Sequence, residues 1–210
     1  VGIEVDKANG SYLYDIYGTK YIDLISGISV SNIGHCHPKI IEAIEQQIRQ
    51  YMHLMVYGEY IQSPQVLLAK KLVELLGGYF ESVYFVNSGS EAIEGAIKLA
   101  KRYTGREKIV AYKNAYHGST HGALSIMGNE KYKNSFRPLL PGINFIEFNN
   151  NDQLSIIDEN VACVIVEVVQ AENGVRPIDK EYLAKLREIT SSKGVLLIFD
   201  EVQTGIGRTG

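Results

Sequence analysis

Residues 196–210, LLIFDEVQTGIGRTG, decide the fold class of this protein. Four apolar residues in a row lead into Asp200 and Glu201, and a glycine-rich stretch follows. An uninterrupted apolar run of this length, ended by turn residues, is typical of a strand that is buried on both faces, as in parallel sheets. Ligands of open α/β sheets bind beyond the carboxyl ends of the strands, so Asp200 is a candidate site residue.

The region before this strand alternates apolar strands with amphipathic helices. Helices are expected at residues 91–104 and 179–193. The predicted strands are 82–87 (SVYFVN), 108–112 (KIVAY), 143–148 (INFIEF) and 162–169 (ACVIVEVV). This order indicates an α/β fold with a mostly parallel sheet that helices cover on both faces.

The N-terminal part follows a different pattern. Residues 10–24, GSYLYDIYGTKYIDL, predict a β-hairpin, and helices are expected to begin at Pro38 and near Ser63. We therefore expect a small N-terminal α+β segment at residues 1–57 and a larger, cofactor-binding α/β domain at residues 58–210.

Composition and charge exclude several classes of protein. The 210 residues include 21 lysines and arginines against 24 acids, a net charge of −3, so we expect no nucleic-acid partner. No apolar run reaches the roughly 18 residues of a membrane helix, and no signal-peptide pattern is present. Two cysteines argue against a disulfide framework. A soluble, cytoplasmic protein without a membrane partner is the expectation.

A second candidate site follows the predicted strand 82–87. Residues 87–91, NSGSE, lead directly into a helix, where backbone N–H groups and the close approach that glycine permits suit a phosphate. The spacing of Ser88 and Glu91 equally fits a capping box, and the residues alone leave both interpretations open. Neither the GxxxxGK(S/T) loop nor a GxGxxG after a first strand is present, so nucleotide motifs are not supported.

The loop after strand 108–112 carries Tyr116 and His117. An aromatic ring at this position can stack on a flat cofactor, and the alternative is an ordinary loop tyrosine and histidine. His35 and His37 lie two residues apart without a matching partner cluster, so we expect no metal site.

Acids stand at the ends of two strands. Glu167 follows the apolar residues 162–166, Glu172 comes shortly after, and Asp200 ends the last strand. A buried carboxylate needs a partner such as an arginine, a metal or a protonated heterocycle, although Asp200 equally suits the cap of a turn. A phosphate cradle, a stacking aromatic and a carboxylate at one sheet edge are together what a phosphorylated pyridine ring requires.

Five stretches of the chain resemble one family, in the family's order. They are GSYLYDIYGTKYIDLISGISVSNIGHCHPKI, FVNSGSEAIEGAIKLAKRYTGR, AYHGST, VIVEVVQAENGV and LLIFDEVQTGIGRTG. The sequence resembles the N-terminal half of the class III aminotransferases of the acetylornithine, ornithine and 4-aminobutyrate type. These are pyridoxal-phosphate enzymes of the aspartate-aminotransferase fold, and the resemblance implies a homodimer with a shared active site.

The resemblance assigns cofactor contacts around the second candidate site. It implies that Ser88, Gly89 and Ser90 are cofactor-binding residues, with Gly89 and Ser90 binding the phosphate through backbone N–H and hydroxyl groups. It also implies that Tyr116 stacks on the pyridine ring with His117 beside it.

The resemblance assigns further roles to the acids and to the residues after Asp200. Asp200 would pair with the ring nitrogen and keep it protonated, Val202 would pack under the other ring face, and Gln203 would bind the phenolic oxygen. Glu167 would support the site from behind. Glu172 stands where relatives place an acid that pairs with a substrate-gating arginine.

Two departures concern the substrate. Ser119 stands where many relatives have an arginine that binds a substrate carboxylate, and Ile28 stands where ornithine aminotransferases carry a tyrosine. The expected reaction moves an amino group from an ω-amino donor of the acetylornithine, ornithine or 4-aminobutyrate type to a 2-oxo acid. A mutase, racemase or decarboxylase reaction on the same scaffold is the alternative.

The third departure concerns a lysine. The family's lysine that binds the cofactor covalently lies after LLIFDEVQTGIGRTG, and we expect none of Lys98, Lys101 and Lys113 to replace it. The 210 residues are therefore expected to be inactive alone. A non-catalytic binding or assembly module is the alternative from another class of function.

Overall fold

The computed structural model describes residues 2–55 and 58–209. These residues form two compact units. The first comprises the chain up to Tyr84 together with Ile206–Arg208, and the second comprises Phe85–Gly205 together with Thr209. The predicted boundary between residues 57 and 58 concerns the domains of the complete protein and stays a prediction.

The first unit contains the predicted hairpin, extended by one strand. Its antiparallel strands, in spatial order, are β1 (Val5–Asn9), β2 (Tyr12–Asp15) and β3 (Lys20–Ile22). Asp15 stabilises the turn between β2 and β3, because its carboxylate accepts hydrogen bonds from the Tyr17 and Thr19 N–H groups at 3.0 and 2.8 Å. The Tyr21 hydroxyl donates a further bond to the same carboxylate at 2.9 Å.

Three helical segments belong to this unit. They are α1 (Ser26–Ser29), α2 (Pro38–Gln50) and α3 (Ser63–Leu75). The helices expected from Pro38 and Ser63 are thus confirmed, whereas α1 is an irregular turn in which Gly27 and Ile28 have positive φ angles. Neither α2 nor α3 has a buried residue.

A four-stranded parallel sheet forms the centre of the second unit, as predicted. The strands of this unit are β4 (Lys108–Tyr112), β5 (Ile143–Ile146), β6 (Val161–Glu167), β7 (Val169–Gln170), β8 (Arg176–Pro177) and β9 (Leu196–Asp200). The parallel strands lie in the order β5, β4, β6, β9, and β7 pairs separately with β8. Glu167 and Asp200 are paired in register, so the last residues of β6 and β9 lie side by side.

Helices cover both faces of this sheet. They are α4 (Gly89–Thr104), α5 (His121–Ser125), α6 (Glu130–Lys133) and α7 (Lys180–Ser192), with 3-10 turns at Asn134–Phe136 and Asn151–Ile156. Ile109 of β4 belongs to a buried cluster with Ile97 of α4. The next residue, Val110, belongs to a second cluster with Leu186 of α7. Because side chains alternate along a strand, α4 and α7 pack on opposite faces and fix the strand ends that carry the candidate site.

Residues 82–87 differ from the sequence prediction, because no strand forms there. The side chains of Tyr84 and Phe85 are 81% and 43% exposed. A strand needs a neighbour to satisfy its backbone hydrogen bonds, and no strand within the described ranges pairs with this segment. The prediction of a strand at residues 82–87 is therefore wrong.

Candidate functional site

Four segments of the second unit meet at the carboxyl edge of the sheet. They are the start of α4, the loop after β4, the end of β6 and the residues around the end of β9. Direct contacts join them in pairs, so the structure brings most of the predicted site residues together.

Asp200 and His117 form the most buried contact of the site. Asp200 Oδ2 lies 2.7 Å from His117 Nδ1, and the two side chains are 5% and 0% exposed. Asp200 Oδ1 accepts a hydrogen bond from the Val202 N–H at 3.0 Å, which also bears out the alternative that Asp200 caps a turn. In the tautomer of His117 that carries its proton on Nδ1, this nitrogen donates to the Asp200 carboxylate, which accepts. His117 Nε2 is buried and has no hydrogen-bond partner among the described residues.

Glu167 lies beside this pair. Its Oε2 atom accepts the Tyr116 N–H at 3.2 Å, which ties the loop after β4 to the end of β6. Burial raises the pKa of the Glu167 carboxyl from 4.5 to about 8, the Tyr116 N–H opposes the rise, and the charges of Asp200 and Glu172 add to it. Glu167 is therefore mostly protonated at neutral pH, so the edge of the sheet does not carry two adjacent carboxylates.

The start of α4 confirms the capping interpretation of Ser88 and Glu91. Ser88 Oγ accepts the Glu91 N–H at 3.2 Å, and Glu91 Oε2 accepts the Asn87 N–H at 2.7 Å. The cap engages neither the Gly89 nor the Ser90 N–H, and the first N–H groups of a helix have no partner within the helix. The phosphate interpretation is therefore compatible with the cap, since the two use different donors.

Gly89, at the start of α4, packs closely against Val202 in the segment after β9. A Cβ atom on this residue would lie 2.8 Å from Val202 Cγ1, a distance that real Cβ contacts essentially never show. A side chain at position 89 would therefore displace Val202. Glycine is required here by the packing.

The loop after β4 rests on the same part of α4. Ser90 Oγ accepts the Ser119 N–H at 3.2 Å. Gly118 has a φ angle of +116°, and a Cβ atom there would lie within 2.9 Å of the Ser90 Cβ atom. Tyr116, which is 42% exposed, packs edge-on against Tyr132 with ring centroids 6.3 Å apart.

Glu172 and Gln203 are the two remaining predicted residues. Glu172 is exposed in the turn after β7, and its charge acts on Glu167. Gln203 is partly buried in the turn after Asp200. Their assigned roles toward a substrate and a cofactor stay predictions.

The lysines present give no support to a replacement for the family's lysine. Lys113 forms an ion pair with Glu147 at 2.6 Å, and both side chains are about half exposed, at 50% and 44%. Lys98 points into solvent from α4. In the part of the chain that the structure describes, no three histidines, cysteines, aspartates and glutamates cluster as metal ligands would.

Sequence reasoning missed two polar residues near the site. Glu94 of α4 accepts hydrogen bonds from Thr120, Gly122 and Ala123. Gln170 is fully buried and donates to the Lys113 carbonyl oxygen at 3.2 Å. The signal for Glu94 was its position four residues after Ser90, which puts both on one face of the helix.

Comparison with known proteins decides the family. The family model described as aminotransferase class-III matches residues 1–210. The chain belongs to the class III aminotransferases.

Several members of this family resemble the chain closely. An acetylornithine aminotransferase of Archaeoglobus fulgidus is 44% identical over 99% of this chain and 55% of its own length. A [LysW]-aminoadipate semialdehyde/glutamate semialdehyde transaminase of Sulfurisphaera tokodaii is 43% identical over 100% of this chain and 54% of its own length. The chain thus spans about half the length of the curated relatives it matches.

Solved structures confirm the predicted fold. The adenosylmethionine-8-amino-7-oxononanoate aminotransferase of Methanocaldococcus jannaschii superposes with a TM-score of 0.93 at 35% identity, over 100% of this chain and 51% of that one. This class III chain therefore has the fold of the aspartate-aminotransferase-like transferases, with a parallel sheet and covering helices.

Proposed function

We propose that the complete protein is a pyridoxal-phosphate aminotransferase that moves an amino group from an ω-amino donor to a 2-oxo acid. The observation that carries the proposal is the buried Asp200–His117 pair at the carboxyl edge of the parallel sheet. Family membership over the whole chain supports the reaction class.

The residues at the sheet edge fit pyridoxal phosphate. Gly89 and Ser90, beside Ser88, offer backbone N–H groups that the helix cap leaves available for the phosphate. Because Val202 occupies the place of a side chain at Gly89, the phosphate would approach the N–H side of this residue. Tyr116 would cover one face of the ring, as the resemblance implies. When bound, the cofactor supplies a protonated ring that accepts electrons from the carbon that loses a proton.

Asp200 would act on the ring nitrogen, Val202 would pack under the second face of the ring, and Gln203 would hydrogen-bond the phenolic oxygen, as the resemblance implies. The Asp200 carboxylate would hold a proton on that nitrogen, because a buried anion favours the charged form of a neighbouring base. His117 fixes the orientation of the carboxylate through Nδ1. Because Glu167 is mostly neutral at neutral pH, it adds little negative charge beside Asp200.

The donor class follows from relatives and from Ser119. Relatives that act on acetylornithine and on a LysW-bound semialdehyde support an ω-amino donor. Ser119 has no guanidinium fork, so it does not bind a substrate carboxylate in the bidentate manner of arginine. We therefore propose that a substrate carboxylate is bound by other groups, or that the donor carries none at this position.

We also propose a cytoplasmic homodimer with shared active sites. Ile41, Ile44 and Ile48 on α2 are 42%, 55% and 53% exposed, and an apolar helix face of this kind is normally covered by further protein. Buried Cys163 and exposed Cys36 are both free thiols, as suits a reducing compartment. Within the described ranges, no helix has the length and apolar character needed to cross a membrane. Sedimentation of the full-length protein tests the dimer.

A half-reaction tests the proposed function. The full-length protein is loaded with pyridoxal phosphate and mixed with a panel of amines, including acetylornithine, ornithine and 4-aminobutyrate, without a 2-oxo acid. We expect at least one ω-amino donor to transfer its amino group to the cofactor. Absorption spectroscopy monitors this change in the cofactor. Cofactor binding without transfer from any amine favours a mutase, racemase or decarboxylase, and absence of cofactor binding favours a non-catalytic module.

A further inference from the structure

Glu94 makes an unusual set of contacts between α4 and the start of α5. Its Oε1 atom accepts hydrogen bonds from the Thr120 hydroxyl at 2.8 Å, the Gly122 N–H at 2.7 Å and the Ala123 N–H at 3.2 Å. One side chain of α4 therefore holds three groups of a separate segment.

A second side chain of α4 holds the same segment one turn earlier. Ser90 Oγ accepts the Ser119 N–H at 3.2 Å. Residues four apart lie on one face of a helix, so Ser90 and Glu94 form a row of acceptors. Residues 119–123 are bound along this row by four hydrogen bonds.

The sequence of this segment is adapted to the row of acceptors. A Cβ atom on Gly122 would lie 2.7 Å from the Glu94 Cδ atom, so only glycine permits the observed approach. Thr120 precedes α5 but makes no side-chain cap of its own. A helix of five residues is too short to be stable alone, so α5 is held in place by the packing of its buried residues, with Ala123 in the core cluster, together with the bonds from Glu94.

This segment is the direct continuation of the loop that carries Tyr116 and His117. With residues 119–123 fixed to α4 on one side and the Tyr116 N–H bound to Glu167 on the other, the loop has both ends anchored. The same helix provides the Gly89 and Ser90 N–H groups at its start. The loop and the start of α4 therefore keep a constant relation to each other.

We propose that Glu94 is a positioning residue that fixes the loop carrying Tyr116 and His117 against the phosphate-binding start of α4. Glu94 touches neither phosphate nor ring and acts through residues 119–123. The identity of the ligand rests on the proposed function, whereas the anchoring of the loop does not. Without Glu94, binding energy is spent on ordering the loop, so the cofactor binds more weakly.

Two substitutions in the full-length protein test this role. Because all three bonds end on Oε1, Glu94→Gln keeps the acceptor and Glu94→Ala removes it. We expect Glu94→Ala to raise the Kd of pyridoxal phosphate at least about tenfold and Glu94→Gln to raise it less than about threefold. Glu188→Ala, which removes an exposed acid from α7, is the matched control and leaves the Kd unchanged.

Hydrogen exchange in the protein without cofactor gives an independent readout. The amides of Ser119, Gly122 and Ala123 should exchange faster in Glu94→Ala and at the wild-type rate in Glu94→Gln, while Leu186 in the core stays protected in both. If Glu94→Ala proves poorly folded by loss of Leu186 protection, Thr120→Val removes one of the three bonds and should weaken cofactor binding in the same direction.

The outcomes separate the two proposals. Unchanged exchange of the Gly122 and Ala123 amides in Glu94→Ala overturns the anchoring. Faster exchange with an unchanged Kd overturns the positioning role, as does a Glu94→Gln protein that behaves like Glu94→Ala. Wild-type protein that fails to bind pyridoxal phosphate contradicts the proposed function instead.

Discussion

His117 and Asp200 are joined by a hydrogen bond of 2.7 Å between Nδ1 and Oδ2, and both side chains are almost completely shielded from solvent. A buried carboxylate is costly unless its oxygens are hydrogen-bonded. His117 satisfies one oxygen of Asp200 and the Val202 N–H satisfies the other. The protein itself therefore fixes the orientation of Asp200, the acid whose negative charge acts on the ring nitrogen in the proposed mechanism.

Replacing Asp200 by asparagine tests that charge. Asparagine preserves the size of the side chain but removes the anion that holds a proton on the ring nitrogen. We expect the kcat of the full-length enzyme to fall at least about a hundredfold, while pyridoxal phosphate still binds because the contacts at Gly89 and Ser90 are intact. Steady-state kinetics and a binding titration measure both quantities.

Asp179→Asn is the control for this substitution. Asp179 caps α7 by accepting the Glu181 and Tyr182 N–H groups, and asparagine caps helices as well as aspartate does. Its turnover should match that of the wild type. Near-normal turnover of the Asp200→Asn enzyme would refute the role assigned to Asp200.

The proton on Glu167 makes stability depend on pH. Its pKa is raised to about 8 in the folded protein from an ordinary value of 4.5, so between these values the folded state binds a proton that the unfolded state releases. The free energy of unfolding should therefore fall as the pH rises through this window, by up to about 1.4 kcal/mol per pH unit. Below pH 4.5 both states are protonated and the contribution is constant.

Glu167→Gln isolates this contribution, because glutamine resembles the protonated acid and does not titrate. As the pH is raised from 4.5 to about 8, the free energy of unfolding of the wild type should fall relative to that of the variant. Urea unfolding of both full-length proteins across that range measures it. Parallel pH profiles would show that Glu167 holds no extra proton in the fold.

The fold could be predicted because its signals are local and repeat along the chain. The apolar runs at β4, β6 and β9 are long enough in the sequence to be recognised singly, and their order implies a parallel sheet, although only β4 and β6 are buried along most of their length. Asp200 could be predicted as a site residue because the end of a parallel strand fixes where a side chain lies. The same rule located Glu167.

Other features depend on contacts that a sequence pattern does not contain. The segment 82–87 has the composition of a strand, but strand formation is decided by a neighbour and not by composition. In the sequence, Glu94 looks like an ordinary solvent-exposed helix residue. Its role depends on the segment that packs against its face of α4 and donates the Gly122 N–H to it. The raised pKa of Glu167 depends on burial and on its pairing with Asp200 in register.

The contact between Gly89 and Val202 yields a test of packing at the start of α4. A Cβ atom at position 89 would lie 2.8 Å from Val202 Cγ1. Because the Val202 side chain is 59% exposed and can shift toward solvent, Gly89→Ala should destabilise the protein by no more than about 1 kcal/mol. Val202→Ala removes the Cγ1 atom that a Cβ atom at position 89 would approach. Thermal unfolding should therefore show the double variant to be more stable than the sum of the two single effects. Strictly additive effects would show that the two residues do not compete for space.

Ser119 offers a test of substrate choice that leaves the loop anchored. Its contact with α4 is made by the backbone N–H. The Ser119→Arg substitution therefore replaces the side chain without removing that hydrogen bond. Arginine binds a carboxylate through two parallel hydrogen bonds, whereas the lysine of Ser119→Lys supplies the charge without the fork.

We expect Ser119→Arg to raise kcat/KM for acetylornithine at least about tenfold relative to a primary amine without a carboxylate. Ser119→Lys should change this ratio by less than about threefold, because a point charge lacks the bidentate geometry. An unchanged ratio in Ser119→Arg would show that position 119 does not face the substrate carboxylate, and an equal rise in both variants would show that charge alone decides the preference.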